Sequence, residues 1–359
     1  MKRIGYIYEK ICEIENIKNA IARSSLGKRD RPFVLEVLDN IDYYSKEIQK
    51  ILLEKTYVPS LYDIKTIRDG SSQKEREIYK PKYYPDQIIH WALMLQLHTL
   101  FLKGMYKYTC GGIVGRGTSY GQTALRNWLD KDAKNTKYCL KMDISKYYPS
   151  IDKNILKGML RTKIKDNNCL WLLDIIIDSN ERGLPIGNYT SQWFSNFFLQ
   201  ELDHIIKEKM NAKYYVRYVD DFVILGSNKR ELHKMRIKIE KYLNSINLKL
   251  KNDWQVFLIS TRAIDFLGLR FYRDKTTLRR RNSLRIRRRM NKISKKDVLT
   301  YRDACAIVSY WGWIKRTDSY MFYNKYIKPK VNINMAKGVI SNYDKQKLRI
   351  QTETTRCFK

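Results

Sequence analysis

Residues 216–226 read VRYVDDFVILG, and two adjacent carboxylates, Asp220 and Asp221, sit between two short apolar runs. Tyr215, Val216, Tyr218, Phe222, Val223, Ile224 and Leu225 are the β-branched, aromatic and aliphatic types that strands favour. Two strands so short, joined by a tight turn, predict a hairpin with the acidic pair at its tip. Neighbouring like charges repel, so the arrangement is costly unless a cation sits there.

Upstream, CLKMDISKYYPSI (139–151) reads as an apolar strand ending on Asp143. If that strand neighbours the hairpin, three carboxylates converge despite 77 positions of separation. Hard oxygen ligands in that number favour Mg²⁺, and two such ions would relieve the repulsion. A two-metal site stabilises both the attacking and the leaving oxygen of an in-line phosphoryl displacement. A lone Asp-Asp pair is common on surfaces. DISKYY and YVDD together, in this order, are far more specific.

Lys and Arg number 70 against 37 Asp and Glu in the 359 residues, a net charge of +33. A chain this basic is suited to neutralising a polyanion, with nucleic acid foremost. The 27 Tyr, 11 Phe and 7 Trp exceed what a merely charged surface needs and suit stacking on bases as well as core packing. Cys12, Cys110, Cys139, Cys169, Cys305 and Cys357 are scattered without a CxxC pair, which argues against zinc and against a disulfide framework. The N-terminus lacks the continuous apolar core of a signal peptide, and no run of about twenty apolar residues exists to span a membrane. The expectation is a cytoplasmic protein with no membrane partner.

Residues 1–70 read as a mainly helical N-terminal extension, with apolar spacing of three and four over 6–21 and 33–55 around the basic loop SSLGKRDRP (24–32). DGSSQKEREIYKPKYYPDQ (69–87) changes the character before a helix-like 88–105. CGGIVGRGTSYG (110–121) is Gly-rich but lacks the Lys-Ser/Thr ending of a P-loop, so ordinary loop flexibility is expected. Helical stretches at 171–182 and 191–210 flank the turn GLPIGN (183–188), and two short strands follow residue 250. RRRNSLRIRRR (279–289) packs seven arginines into eleven positions ahead of a helical end containing AIVSYWGWIKR. Strands and helices without a βαβ rhythm predict an α+β fold.

The ordered series of segments over roughly 70–275 resembles a reverse transcriptase. The resemblance implies a right-hand polymerase fold, with fingers, an antiparallel palm sheet and a helical thumb. Residues 71–275 would be fingers and palm, and 276–359 a basic thumb. In KEREIYKP, Lys74 and Arg76 would contact the incoming deoxynucleoside triphosphate. Asp143, Asp220 and Asp221 would be catalytic ligands of two Mg²⁺ ions. Tyr148 would hold the steric-gate position against a ribose 2′-OH, and FLGLRF (266–271) resembles the primer-grip hairpin. Lys249 and Lys251 are both candidates for the lysine that protonates pyrophosphate. Trp311, Gly312 and Trp313 would pack the core or thumb. Arg279, Arg280, Arg281, Arg285, Arg287, Arg288 and Arg289 would grip a template–primer backbone, with steep salt dependence.

LPIGNYTSQWFSN (184–196) refines the resemblance. Intron and retron enzymes usually carry PQGxxxSP here, whereas this chain has Ile186 and Gln192 in place of Gln and Pro. The IGxxxSQ form is similar to reverse transcriptases of diversity-generating retroelements, which copy a template-repeat RNA into cDNA mutated chiefly at adenines. Ile186 and Gln192 would then line the nucleotide site. Gln192 and Asn196, one turn apart, would face the same groove. The resemblance also implies a structured template RNA, a primer or cDNA end, and a small basic oligomeric accessory protein, with no endonuclease or RNase H segment after the thumb. A retron-type or phage-defence reverse transcriptase, and a maturase-like RNA-binding protein with a relic site, are the alternatives.

Overall fold

The computed structural model describes residues 3–68, 75–343 and 345. The chain divides into two units, Met1–Leu125 with Lys134–Phe257, and Arg126–Ala133 with Leu258–Lys359.

In the first unit, helices α1 (Tyr8–Cys12), α2 (Ile14–Ser24), α3 (Pro32–Asp39) and α4 (Ile41–Leu53) form the N-terminal part. Their three- and four-residue apolar spacing buries Ile11, Ile17, Ile21, Ile48 and Leu52 completely. The strands β1 (Asp63–Arg68) and β2 (Glu75–Lys80) follow as a two-stranded antiparallel ribbon. Strand β1 falls within the stretch 1–70 that the apolar spacing marks as mainly helical. DIKTIR is a strand because Ile64, Thr66 and Ile67 are β-branched, with cross-strand pairs such as Arg68–Glu75 at 2.8 Å.

Helix α5 (Ile88–Lys103) is apolar on most sides and therefore runs through the core, with Ile88, Ile89, Ala92, Leu93, Leu97 and Phe101 buried. Next come β3 (Thr109–Cys110), α6 (Thr118–Lys131), β4 (Tyr138–Asp143), α7 (Tyr147–Ser150), α8 (Lys153–Lys163) and α9 (Asn167–Asp178). Asp152 and Asp166 cap α8 and α9 by accepting two backbone N–H bonds each at 2.9–3.1 Å. Helix α9 ends before the expected residue 182, where the Asn180 side chain donates to the Arg182 carbonyl at 2.6 Å and closes a turn. Then α10 (Tyr189–Phe198), α11 (Gln200–His204), β5 (Tyr214–Tyr218), β6 (Asp221–Gly226), α12 (Lys229–Ser245) and β7 (Gln255–Leu258) complete a five-stranded sheet, ordered β3-β5-β6-β4-β7. Its β5–β6 and β6–β4 pairs are antiparallel, and the short β3–β5 pair is parallel. The long helical connection between those two strands permits it.

The second unit holds β8 (Ile264–Phe266), β9 (Leu269–Phe271) and β10 (Thr276–Leu278) as a three-stranded antiparallel sheet. Positive φ at Leu267 (48°) and Gly268 (85°) gives the β8–β9 turn the twist that two-residue hairpins favour. Helices α13 (Arg280–Ile293), α14 (Tyr301–Ile314) and α15 (Tyr320–Tyr326) follow. Strand β10 pairs with β9, and both belong to the unit that begins at Leu258. Arg126 belongs here as well, donating to the Tyr272 carbonyl at 2.9 Å and the Arg273 carbonyl at 2.7 Å. Among the described residues, no helix is long and apolar enough to cross a membrane.

Candidate active site

Register places the three aspartates at one end of the larger sheet. Asp143, the last residue of β4, faces Asp221, the first of β6. Tyr218 also pairs with Asp221, so the hairpin turn consists of Val219 and Asp220. Asp220 is fixed beside the end of β4, its carbonyl accepting the Ile144 N–H at 3.2 Å. Burial, and then the Asp143 carboxylate, push the Asp220 carboxyl up to about 6, while Lys251 pulls it the other way.

Lys251 forms an ion pair with Asp143 Oδ2, and Lys141 Nζ lies 3.9 Å from Asp221 Oδ2. Asp143 Oδ1 is buried without a hydrogen-bond partner. Among the described residues, no group of three or more His, Cys, Asp or Glu side chains is gathered tightly enough to hold a metal ion unaided. The donors at this corner are all carboxylate oxygens, the set that suits a hard divalent cation. The raised Asp220 carboxyl and the unpartnered Asp143 oxygen fit such an ion. Of the two lysines left open by the sequence, Lys249 is exposed and contributes its carbonyl to Ser145 N–H at 2.8 Å. Only Lys251 brings its ammonium to the aspartates.

Beneath the turn lies a network that the sequence reading missed. Arg217 is fully buried on β5, and its guanidinium grips Asp203 with Nε–Oδ1 at 2.8 Å and Nη2–Oδ2 at 2.5 Å. Burial alone would lower the guanidinium pKa, but the Asp203 carboxylate outweighs it and holds the pKa above its ordinary value. Asp203 also accepts the Tyr215 hydroxyl at 2.6 Å and the Thr109 hydroxyl at 2.9 Å. Arg217 Nη1 then donates to the Val219 carbonyl at 2.9 Å, which fastens the turn itself. The available signal was an arginine inside an otherwise apolar strand.

The Gly-rich loop closes on the same turn. Val219 N–H donates to the Cys110 carbonyl at 3.2 Å. Gly111 has φ +90°, and a Cβ there would come within 2.9 Å of the Val219 side chain. Asn196 is buried; its Nδ2 donates to the Gly111 carbonyl at 2.8 Å and its Oδ1 accepts from Arg217 at 3.2 Å. The expectation that Gln192 and Asn196 share a groove is therefore corrected. Gln192 is exposed beside Gly112, whereas Asn196 is an internal tie.

Tyr148 is half-buried on α7, and its hydroxyl accepts from Ser195 Oγ at 3.4 Å. The Leu184 N–H donates to the Tyr148 carbonyl at 2.9 Å, which couples this ring's position to the 183–188 turn. Ile186 on that turn is half-buried, and its carbonyl accepts the Tyr79 N–H of β2 at 2.7 Å. Gly187 has φ +132°, and any Cβ would sit 2.2 Å from the Tyr79 carbonyl. Arg76 stands exposed on the same ribbon, opposite Ile67. Lys74 lies outside the described residues.

In the second unit the arginine run divides in two. Arg280, Arg281, Arg285, Arg287 and Arg288 are exposed, while Ile286, Met290 and Ile293 bury the other face of α13. Arg279 instead forms an ion pair with Asp265, and Arg289 binds the buried Asp303 at 2.7 Å. These two arginines are engaged with carboxylates of the same unit, whereas the five others stand exposed.

The reverse transcriptase (RNA-dependent DNA polymerase) family model matches residues 86–271, more than half of the chain. The chain belongs to this family and is an RNA-directed DNA polymerase, with RNA template and deoxynucleotide substrates. A curated relative, the retron Ec73 reverse transcriptase of Escherichia coli, is 26% identical over 310 residues, covering 81% of this chain and 93% of its own. Among solved structures, telomerase from Candida albicans with a fragment of telomeric RNA is 13% identical over 83% of this chain, with a TM-score of 0.49. Apo telomerase from Candida tropicalis is 13% identical over 85%, with a TM-score of 0.48. The chain spans 61% and 64% of those telomerase chains.

Proposed function

We propose that this enzyme is the reverse transcriptase of a diversity-generating retroelement, copying a template-repeat RNA into adenine-mutagenised cDNA. The observation that carries the reading is Ile186, on a turn locked to β2 through Tyr79 and beside Tyr148 through Leu184. Ile186 offers apolar contact where related enzymes use a glutamine. A site stripped of a hydrogen-bonding side chain discriminates less well, because polar contacts reject misfits better than apolar ones do.

Asp143, Asp220 and Asp221 would hold two Mg²⁺ ions, with a triphosphate completing the coordination. Bound there, the ions would activate a primer 3′-hydroxyl and stabilise departing pyrophosphate. Lys251 stands ready to give a proton to the leaving group, Tyr148 to exclude a 2′-hydroxyl, and Arg76 with Lys74 to meet the triphosphate. Gln192 would line the same nucleotide site. A small basic oligomeric accessory protein and a structured RNA would complete the assembly.

A retron-type role is the second reading, and the retron Ec73 relative supports it. Sequencing cDNA made by the purified protein with Mg²⁺ from its flanking RNA separates the two. Errors concentrated opposite template adenines, and reduced by Ile186→Gln, are the expected outcome. Faithful cDNA would leave the polymerase and overturn the mutagenic role.

A further inference from the structure

A groove of about 810 Å³ opens in the second unit, outside the residues that the family model matches. Trp311 and Tyr323 form one part of its wall, their rings 4.9 Å apart and tilted by 46°. Lys315, Lys328, Lys330 and Lys337 also line it, and none of the lining residues is acidic. Lys315 caps the C-terminus of α14 one helical turn after Trp311, its N–H donating to the Trp311 carbonyl at 2.9 Å. The turn after α15 brings Lys328 back, its N–H donating to the Tyr323 carbonyl at 3.0 Å. Lys330 Nζ hydrogen-bonds Asn291 Oδ1 and joins the groove to α13. A helical stretch at 333–343 supplies Lys337.

The nearby acids are engaged elsewhere. Asp303 binds Arg289 and Lys296, and Asp318 accepts the Thr276 N–H at 2.7 Å. Among the described residues no carboxylate pairs with the four groove lysines. Between residues 258 and 343 the chain carries 21 Lys and Arg against 5 Asp and no Glu, so the field at the groove is strongly positive. A small anion would satisfy the lysines but leave the rings unused. A duplex presents phosphates but keeps its base faces stacked inside. Single-stranded nucleic acid offers both partners at once, an unstacked base for an aromatic face and phosphates for the lysines.

We propose that the Trp311–Tyr323 groove is a binding site for single-stranded nucleic acid, formed by residues of the second unit alone. A base stacks on the exposed part of the aromatic wall, and Lys315, Lys328 and Lys337 take the flanking phosphates. The inference rests on the groove's own residues and holds whichever retroelement the enzyme serves.

The test uses the full chain and fluorescently labelled, unstructured RNA and DNA oligonucleotides, with a blunt duplex as control, followed by anisotropy. Wild type binds the single strands, and the groove variants lose single-strand affinity while keeping duplex affinity. Trp311→Ala or Tyr323→Leu weakens single-strand binding about tenfold, as loss of one stacked base does. Trp311→Phe largely restores it. Extension of a preformed short template–primer, assayed alongside, continues near the wild-type rate in all three variants. Tighter RNA than DNA binding assigns the groove to a template strand, and the reverse to product. Unchanged single-strand affinity in both Trp311→Ala and Tyr323→Leu overturns the proposal. So does an equal loss of duplex affinity in these variants, or dependence on the lysines alone, since each leaves only a charged surface. Thermal midpoints and the Phe variant separate loss of the site from loss of the fold.

Discussion

Arg217 and Val219 lie two residues apart on the chain, and the buried guanidinium of the first donates to the carbonyl of the second at 2.9 Å. Val219 is β-branched yet has φ +56°, a backbone region that costs such residues roughly 1–2 kcal/mol. Hydrogen bonds from both sides hold it there, one from Arg217 and one to Cys110. The aspartate turn is therefore imposed by its surroundings rather than preferred by its sequence.

Replacing Arg217 by Met leaves Asp203 buried and uncompensated, a loss of about 3–5 kcal/mol. Arg217→Lys keeps the charge but cannot make the forked contact. The expected result is a Lys variant that is moderately destabilised yet strongly impaired in kcat, with substrate KM little moved. Denaturant unfolding and steady-state kinetics on one preparation check this, and wild-type kcat in Arg217→Lys would remove Arg217 from turn positioning.

Asp220 gives a pH-dependent signature. A carboxyl raised from 3.8 to about 6 favours its neutral form in the folded state. Its contribution is fully present below pH 4 and is lost as pH rises through about 6, a swing of about 3 kcal/mol. Without divalent ions, Asp220→Asn should raise the melting temperature at pH 8 and leave it unchanged at pH 4, while abolishing nucleotide incorporation. Equal shifts at both pH values would contradict the raised carboxyl.

The divided arginine run predicts two kinds of mutant. Alanine at Arg280, Arg281, Arg285, Arg287 or Arg288 should leave stability within about 0.5 kcal/mol of wild type. Each replacement of a phosphate-contacting arginine should lower the salt slope of template–primer affinity by about one. Arg289→Ala instead removes a charged hydrogen bond from buried Asp303 and should cost about 1–3 kcal/mol in folding. Salt titrations and melting curves run in parallel distinguish the two groups.

Gly111→Ala tests the loop. The added methyl meets Val219 and requires a φ of +90°, so the loop must withdraw from the turn. Incorporation should fall about tenfold or more, with secondary structure by circular dichroism retained. Full activity would show that the loop's seat on the turn is dispensable.

What the sequence made legible was local or strongly patterned. The YVDD hairpin could be read because dense strand-forming types flank a polar pair, and DISKYY because an apolar run ends on an aspartate. The facing of Asp143 and Asp221 needed a register between strands far apart in the chain. DIKTIR was absorbed into a helical region because all six residues are exposed and show no alternation of burial. Arg217 looked like one more basic residue, since its partner Asp203 lies on another element. The glycines at 111 and 112 read as flexibility, although their role is close packing against the turn and Gln192.

The segment Arg126–Ala133 has a consequence for biosynthesis. It leaves the ribosome long before Leu258, yet its hydrogen bonds run to Tyr272 and Arg273. During translation this stretch must wait, solvent-facing, while more than a hundred further residues emerge. No single cut separates the two units cleanly: a chain stopped at Phe257 keeps the three aspartates but strands Arg126 and the buried Leu129 without their partners. Minimal versions of the enzyme are better sought by rebuilding this excursion than by trimming the end.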